Sequence, residues 1–230
     1  MHANKQRTAA PANTRAWPAT CAILILGIVG AMATPAAGAP AEQTVRPVFR
    51  LADVLGGATP APVGSSTLVR TDHGLSATFE TTALTAGHVV TLWWVVFNDP
   101  AACEAGIPGV SGCGPEDAHA GRGGVSLMRA TGRVIDEHGS ADYGAHARVG
   151  DTSRVLVGPG LIDPRAAEVI LILKTHGPKL PHRVADHLHT FAGGCADLSD
   201  APPGAPPELI GEPGPNQCAE IQISVHTPGP

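Results

Sequence analysis

Apolar residues in this chain recur with the two-residue period of β-strands, and the 3.6-residue period of helices is nearly absent. Segment 76–81 alternates between apolar and polar residues, and a turn signal at 72–74 predicts that it forms a hairpin with segment 66–70. Segment 220–226 alternates too, which predicts that Ile221, Ile223 and Val225 face a core. The pattern therefore favours an all-β fold.

Two further segments are apolar at nearly every position. Segment 88–97 predicts a central strand, and segment 167–175 another largely buried strand. Segments 125–134 and 141–149 are expected to pair with each other through a turn near residue 138. In the second of these, one face is predicted to carry Tyr143, Ala145, Ala147 and Val149, and the other Asp142, His146 and Arg148. A single short helix is expected near 115–119, where Pro115 suits a first turn.

Seven or eight strands separated by turns rich in glycine and proline predict an antiparallel β-sandwich, with a β-barrel as the alternative. Glycine and proline together number 50 of 230 residues, which is below the level typical of low-complexity chains. We expect the sandwich to span 66–230, with a proline-rich loop at 196–217. Residues 42–65 are expected to form an extended lead-in or an edge strand.

The first 41 residues have the features of a secretory signal peptide. Three basic residues precede an apolar run at 22–33, and small residues follow it up to Ala41. The run has 12 residues, whereas a spanning helix needs about 20, so we predict cleavage after Ala41 rather than retention as a membrane anchor. The mature protein is then secreted or periplasmic and keeps no stable membrane span.

Cleavage makes the chain more acidic. The formal charge changes from −5 to −8, because 12 basic and 20 acidic residues remain. An acidic chain of this kind argues against nucleic acid as a partner. No other partner is indicated.

Four cysteines remain after cleavage, an even number that indicates disulfides in an exported protein. Three pairings are possible. We favour Cys103–Cys113 and Cys195–Cys218, because each closes a local loop without regular structure. A cysteine-based metal site is the competing interpretation, but the chain has no CxxC pair.

Two sequence blocks carry a resemblance. The block WWVVFNDPAAC at 93–103, together with a stretch that begins near residue 150 and ends in KTHGP at 174–178, resembles a group of secreted bacterial β-rich proteins with no assigned chemistry. The resemblance implies export and a β-rich domain. It transfers no catalytic residue.

Histidines are the first candidate for chemistry. His187 and His189 would share one face if they lie on a strand, and could then hold zinc or copper with a third ligand such as Asp186, His176 or His182. The alternative is a pair of solvent-facing side chains that bind nothing.

Trp93 and Trp94 are the second candidate. Neighbouring strand residues point to opposite faces, so one ring is expected in the core and the other either exposed, as a platform for sugar rings, or buried under a loop.

Motifs for several enzyme classes are absent from the sequence: GxSxG, HExxH, the P-loop and GxGxxG. We therefore expect an exported, non-enzymatic binding or scaffolding protein without a cofactor. The alternatives are a metal-binding protein or metalloenzyme that uses the His187–His189 pair, and a carbohydrate-binding module.

Overall fold

The structure, a computed structural model, describes residues 39–57 and 59–229. Over these residues nine strands and four short α-helices follow one another along the chain. The strands are β1 (Glu42–Arg50), β2 (Pro62–Thr71), β3 (Gly74–Thr81), β4 (His88–Phe97), β5 (Val125–Val134), β6 (Ala141–Arg148), β7 (Val155–Val157), β8 (Glu168–Pro178) and β9 (Ala219–His226). The helices are α1 (Leu51–Leu55), α2 (Pro115–His119), α3 (Val184–His189) and α4 (Pro207–Ile210).

The nine strands form one antiparallel sheet in the order β6-β3-β2-β1-β9-β8-β4-β5-β7. The sheet curls into a half-barrel. The predicted all-β, antiparallel character is confirmed, but the predicted two-sheet sandwich is wrong. A single curved sheet encloses the core that two stacked sheets would otherwise share.

Irregularities in strand register accompany the curvature. The register shifts at Val48/Phe49 between β1 and β2, at Leu92/Trp93 between β4 and β5, and at Leu173/Lys174 between β8 and β9. Each such shift bends a strand and increases its local twist. The bends allow β5 and β6, which are far apart in the strand order, to meet across the curl. There Arg133 Nη1 donates a hydrogen bond to the Asp142 carbonyl at 2.9 Å.

The main apolar core fills the concave face of the sheet. Its larger members come from seven strands and include Val48, Leu68, Phe79, Leu92, Trp94, Met128, Tyr143 and Leu171. Alternation along each strand sends these side chains to one face, as the sequence predicts for β4 and β6. In β6, Tyr143 and Ala145 are buried while Asp142 and His146 are exposed, so the predicted assignment of its two faces is confirmed there.

Loops cover two smaller apolar clusters on the convex face. One contains Phe97, Ile170, Ile223 and Val225, packed against α1 and the loop between Cys103 and Cys113. The other contains Trp93, packed against Phe191 and the proline-rich loop. The strands of this half of the sheet are therefore buried on both faces.

β9 departs from its predicted orientation. Ile223 and Val225 face the convex cluster, whereas Gln222, Ser224 and His226 are also buried, although they are polar. The predicted alternation is confirmed for Ile223 and Val225, whereas Ile221, at a register shift, is half-buried and packs against the concave core. The sequence also places the polar residues in solvent, which is wrong. Hydrogen bonds to β2 and β3 explain their burial: Thr81 Oγ1 donates to Gln222 Oε1 at 2.5 Å, and Ser66 contacts both Ser224 and His226.

The predictions of local structure are confirmed, whereas the prediction of strand pairing between distant segments is wrong. The β2–β3 hairpin and the helix at 115–119 are confirmed. The predicted pair of 125–134 with 141–149 is wrong, because β5 pairs with β4 and β7 whereas β6 pairs with β3.

Residues 42–65 also differ from expectation, since β1 lies inside the sheet between β2 and β9 instead of at its edge. Almost all of the predicted signal peptide lies outside the described residues.

Both predicted disulfides, Cys103–Cys113 and Cys195–Cys218, are present. Disulfides persist in oxidising compartments, which is consistent with an extracellular or periplasmic protein. No helix in the described part of the chain is long and apolar enough to cross a membrane.

Candidate functional site

The four histidines proposed as metal ligands do not converge. His187 and His189 lie on α3, not on a strand, so the argument from a shared strand face fails. His187 is fully buried, whereas His189 is exposed and its Nδ1 lies 2.8 Å from the Ala185 carbonyl. His182 is exposed, and His176 is buried on β8. The pair His187–His189 therefore has no common open side for an ion.

His176 connects the sheet to the proline-rich loop. Trp93 Nε1 donates to Thr91 Oγ1 at 2.8 Å, and Thr91 Oγ1 lies 2.9 Å from His176 Nε2. On the other side of the ring, Nδ1 lies 3.0 Å from the Gly193 carbonyl, which can only accept. The network therefore assigns the proton of His176 to Nδ1, with Nε2 accepting from Thr91. Burial, partly offset by the bond to Gly193, lowers the pKa of His176 to about 4.

The imidazole of His187 packs against the His176 ring. The His176 and His187 rings are stacked with centroids 6.0 Å apart, and neither ring nitrogen of His187 has a partner among the described residues. Burial lowers the pKa of His187, which keeps the imidazole neutral.

Neither tryptophan offers an exposed face to a sugar. Trp94 is 1% exposed in the concave core, and Trp93 is 2% exposed on the convex side. The Phe191 ring packs edge-on against Trp93 at 5.3 Å between centroids. The rings do point to opposite faces, as expected, but the outer one lies under the proline-rich loop. An exposed tryptophan platform at this position is therefore excluded.

A groove lies where β1 and β9 separate. The two strands pair at Phe49–Ile223 and Arg50–Gln222, and the pairing stops there. Pro47, two residues before Phe49, has no N–H to continue the ladder. The resulting cavity has a volume of about 390 Å³, and its lining residues are Arg46, Pro47, Phe49, Gly109, Val110, Ile223, Ser224, Val225 and Thr227.

One wall of the groove is the loop closed by Cys103–Cys113. A tight turn forms where the amides of Val110 and Ser111 both donate to the Ile107 carbonyl, at 2.9 and 3.0 Å. Gly109 adopts a positive φ of 71° in this turn, a conformation that favours glycine. The turn holds the Val110 side chain over the apolar cluster of β9.

Two buried carboxylates fasten this loop. Glu168 accepts from Ser111 Oγ at 2.5 Å and from the Gly112 and Cys113 amides at 3.1 Å. Asp117 accepts from the Glu104, Ala105 and Gly114 amides and from Arg122 Nε, at 2.7 to 3.1 Å. Burial would raise the pKa of the Asp117 carboxyl, but these donors together hold it well below its usual range. The groove wall is thus fixed by a disulfide and by two buried acidic side chains that accept several hydrogen bonds each.

A buried polar network lies beside the groove, and Ser224 is the member of the network that also belongs to the groove lining. Ser224 Oγ lies 2.6 Å from Ser66 Oγ, which lies 2.7 Å from His226 Nε2. Thr44 Oγ1 lies 2.8 Å from His226 Nδ1. Burial, reinforced by the charges of Arg70 and Arg46, lowers the pKa of His226 to about 4. The network links β1, β2 and β9 at the point where the backbone ladder between β1 and β9 ends.

This network differs from a hydrolytic serine–histidine site. A catalytic histidine is oriented by a group that stabilises its charged form, commonly a carboxylate, whereas the partner of His226 Nδ1 is the neutral hydroxyl of Thr44. Ser66 and Ser224 are each 1% exposed, so no substrate can reach their hydroxyls. We interpret the network as a structural clasp between strands.

The chain matches no family model, no curated protein and no solved structure.

Sequence reasoning did not find the groove. Its lining residues come from β1, the Cys103–Cys113 loop and β9, and no motif joins them. One signal was available: a proline inside a strand predicts a break in pairing, and Pro47 marks the place.

Proposed function

We propose that this protein is an exported, non-catalytic binding protein, and that the groove between β1 and β9 takes a small ligand with an apolar body and one anionic group. The groove itself is the observation that carries the proposal. Ligand sites are typically concave and mostly apolar, with volumes of about 300–1,000 Å³ and a few polar groups that orient the ligand. A cavity of about 390 Å³ falls within this range.

The apolar part of the lining supports an apolar ligand body. Phe49, Val110, Ile223 and Val225 contribute side chains from three different segments. Ile223 and Val225 belong to the buried convex cluster, and Phe49 and Val110 pack against it. Since these residues are held in place by the rest of the fold, the surface is preformed, and a ligand would bind with little loss of protein entropy.

Arg46 supports an anionic group. It is the charged residue of the lining, and it is exposed. Within the described residues it makes no ion pair. A carboxylate at this end of the groove would gain a charge-assisted hydrogen bond from the guanidinium.

The two disulfides and the predicted signal peptide support export. The absence of catalytic motifs from the sequence and the closed serine–histidine network support a binding role rather than an enzymatic one.

We expect decanoate to bind and to displace an anionic apolar dye, anilinonaphthalene sulfonate, from the native protein. Val110→Trp should fill the groove and abolish displaceable dye binding. Ile162→Trp, at a position that is 57% exposed and outside the lining, is the matched control and should leave binding unchanged. Dye fluorescence with decanoate competition measures both.

A second substitution tests whether the charge of Arg46 contributes to the binding of an anionic ligand. Arg46→Ala should weaken decanoate binding by about tenfold, which is the loss of about 1.4 kcal/mol, and should leave decanol binding nearly unchanged. Arg50→Ala, four residues further along β1 and outside the lining, should change neither. Equal decanoate affinity in the native protein and in Val110→Trp would contradict the proposal.

A further inference from the structure

A second cluster of reactive side chains lies away from the groove, under the proline-rich loop. One ring nitrogen of His176 and the sulfur atoms of Cys195 and Cys218 all lie within 4.8 Å of one another. His176 Nδ1 is 3.9 Å from Cys195 Sγ. His176 and Cys195 are buried and Cys218 is half-buried. In the oxidised protein the two sulfurs are joined and cannot act as thiolate ligands.

We propose that reduction of the Cys195–Cys218 disulfide converts this cluster into a zinc site with Cys195, Cys218 and His176 as ligands. The reductant is a dithiol, whose two thiols become a disulfide. Two electrons and two protons pass to the cysteine pair, which becomes two thiols. Binding of Zn²⁺ then releases both thiol protons to solvent and leaves two thiolate ligands.

The distances suit a tetrahedral ion. Zinc binds sulfur at about 2.3 Å and imidazole nitrogen at about 2.0–2.1 Å, so its ligand atoms lie about 3.5–3.8 Å apart. The observed 3.9 Å between His176 Nδ1 and Cys195 Sγ is close to this separation. The two bonded sulfurs have to move apart for both to bind the ion, and rotation of the cysteine side chains supplies that movement.

The surroundings of His176 suit a metal ligand. For Nδ1 to bind the ion, its proton must move to Nε2, and Nε2–H then donates to Thr91 Oγ1 in place of the present bond in the other direction. The Thr91 hydroxyl keeps an acceptor of its own in the Lys174 carbonyl, at 3.5 Å.

A second buried imidazole, that of His187, lies beside the cluster. It is fully buried, and neither ring nitrogen has a hydrogen-bond partner among the described residues, which is rare for a buried polar group. Its ring stacks on that of His176 at 6.0 Å between centroids.

The test uses Co²⁺ as a spectroscopic substitute for Zn²⁺. The protein carries Cys103→Ser and Cys113→Ser, so that only one cysteine pair remains. After reduction by a phosphine, we expect saturable binding of one Co²⁺ with thiolate-to-metal charge-transfer absorption, reversed by Zn²⁺. The oxidised protein should show neither. Absence of the charge-transfer band in the reduced protein would overturn the proposal.

His176→Gln separates a built site from two free thiols. Glutamine can keep hydrogen bonds to Thr91 and Gly193, and we expect Co²⁺ affinity to fall by on the order of 100-fold, as for the loss of a ligand or its essential support. His189→Gln, at an exposed position, is the control and should bind Co²⁺ normally. Equal affinity in His176→Gln and the parent would show that an unfolded dithiol binds the metal, and would refute the site.

Thermal unfolding provides a readout that does not depend on the spectrum. Zn²⁺ should raise the melting temperature of the reduced parent, because it binds the folded form, and should leave that of the oxidised parent unchanged. An unchanged or lowered melting temperature in the reduced protein would count against the site.

Discussion

Lowering the pH from 7 to 4 is expected to reduce the free energy of unfolding by about 6 kcal/mol through two buried histidines alone. His176 and His226 are both fully buried, and burial lowers the pKa of each to about 4. In the unfolded chain each titrates near its usual value of about 6.5. The unfolded state therefore binds more protons than the folded state throughout this interval.

Because the unfolded state binds more protons, the free energy of unfolding decreases as the pH falls. The stability contributed by each neutral histidine is complete above about pH 6.5, falls as the pH drops toward 4, and changes little below it. Charged neighbours act in the same direction as burial: Lys174 lies near His176, and Arg70 and Arg46 lie near His226. A positive imidazolium thus finds no compensating carboxylate among the groups that most affect it.

Urea unfolding at a series of pH values measures the effect. His226→Gln should lower stability at neutral pH but remove about 3 kcal/mol of the pH dependence. His73→Gln, at an exposed position, is the control and should leave the pH dependence unchanged. The assignment is wrong if the pH dependence of His226→Gln matches that of the native protein.

Replacement of Trp93 by alanine is expected to destabilise the protein by about 3–5 kcal/mol, the range found when a large buried aromatic side chain is removed. The indole is 2% exposed, packs against Phe191 and donates its N–H to Thr91. Its loss opens a cavity beneath the proline-rich loop and removes the donor that orders the Thr91–His176 network.

Denaturant unfolding of Trp93→Ala decides between a buried ring and an exposed ligand platform. Val149→Ala is the control, since Val149 is 42% exposed and its loss should change stability by less than about 0.5 kcal/mol. A loss as small as that of the control would show that Trp93 is not a core residue.

The sequence predicted local structure well because local structure depends on periodicity and turn chemistry. The alternation in β6, the two-sided burial of β4 and the turn between β2 and β3 are each properties of short segments. The disulfides were also predictable, since each cysteine pair closes a short loop.

Strand pairing and curvature were not predictable on the same basis. Periodicity shows which residues of β5 and β6 are buried, but it does not show that β5 pairs with β4 and β6 with β3. The choice between one curled sheet and two stacked sheets depends on bulges such as that at Leu92/Trp93, which leave no clear mark in the composition.

The candidate sites, like the fold, were predictable only where they depend on short segments of sequence. The sequence drew attention to His176 and His187, but the metal site was argued for a strand at His187 and His189, and two histidines separated by one residue do not distinguish a strand from the helix that forms there. The groove joins residues up to 181 positions apart, and only folding brings Arg46 near Thr227.

The most direct test of a binding groove is to observe where decanoate binds, by following the amide NMR signals of isotope-labelled protein during a titration. The groove predicts that saturable shifts concentrate at Arg46, Phe49, Val110 and Ile223, while signals around Trp93 and Phe191 stay in place. Saturable shifts centred on the proline-rich loop, or no shifts at the groove residues, would contradict the proposed function.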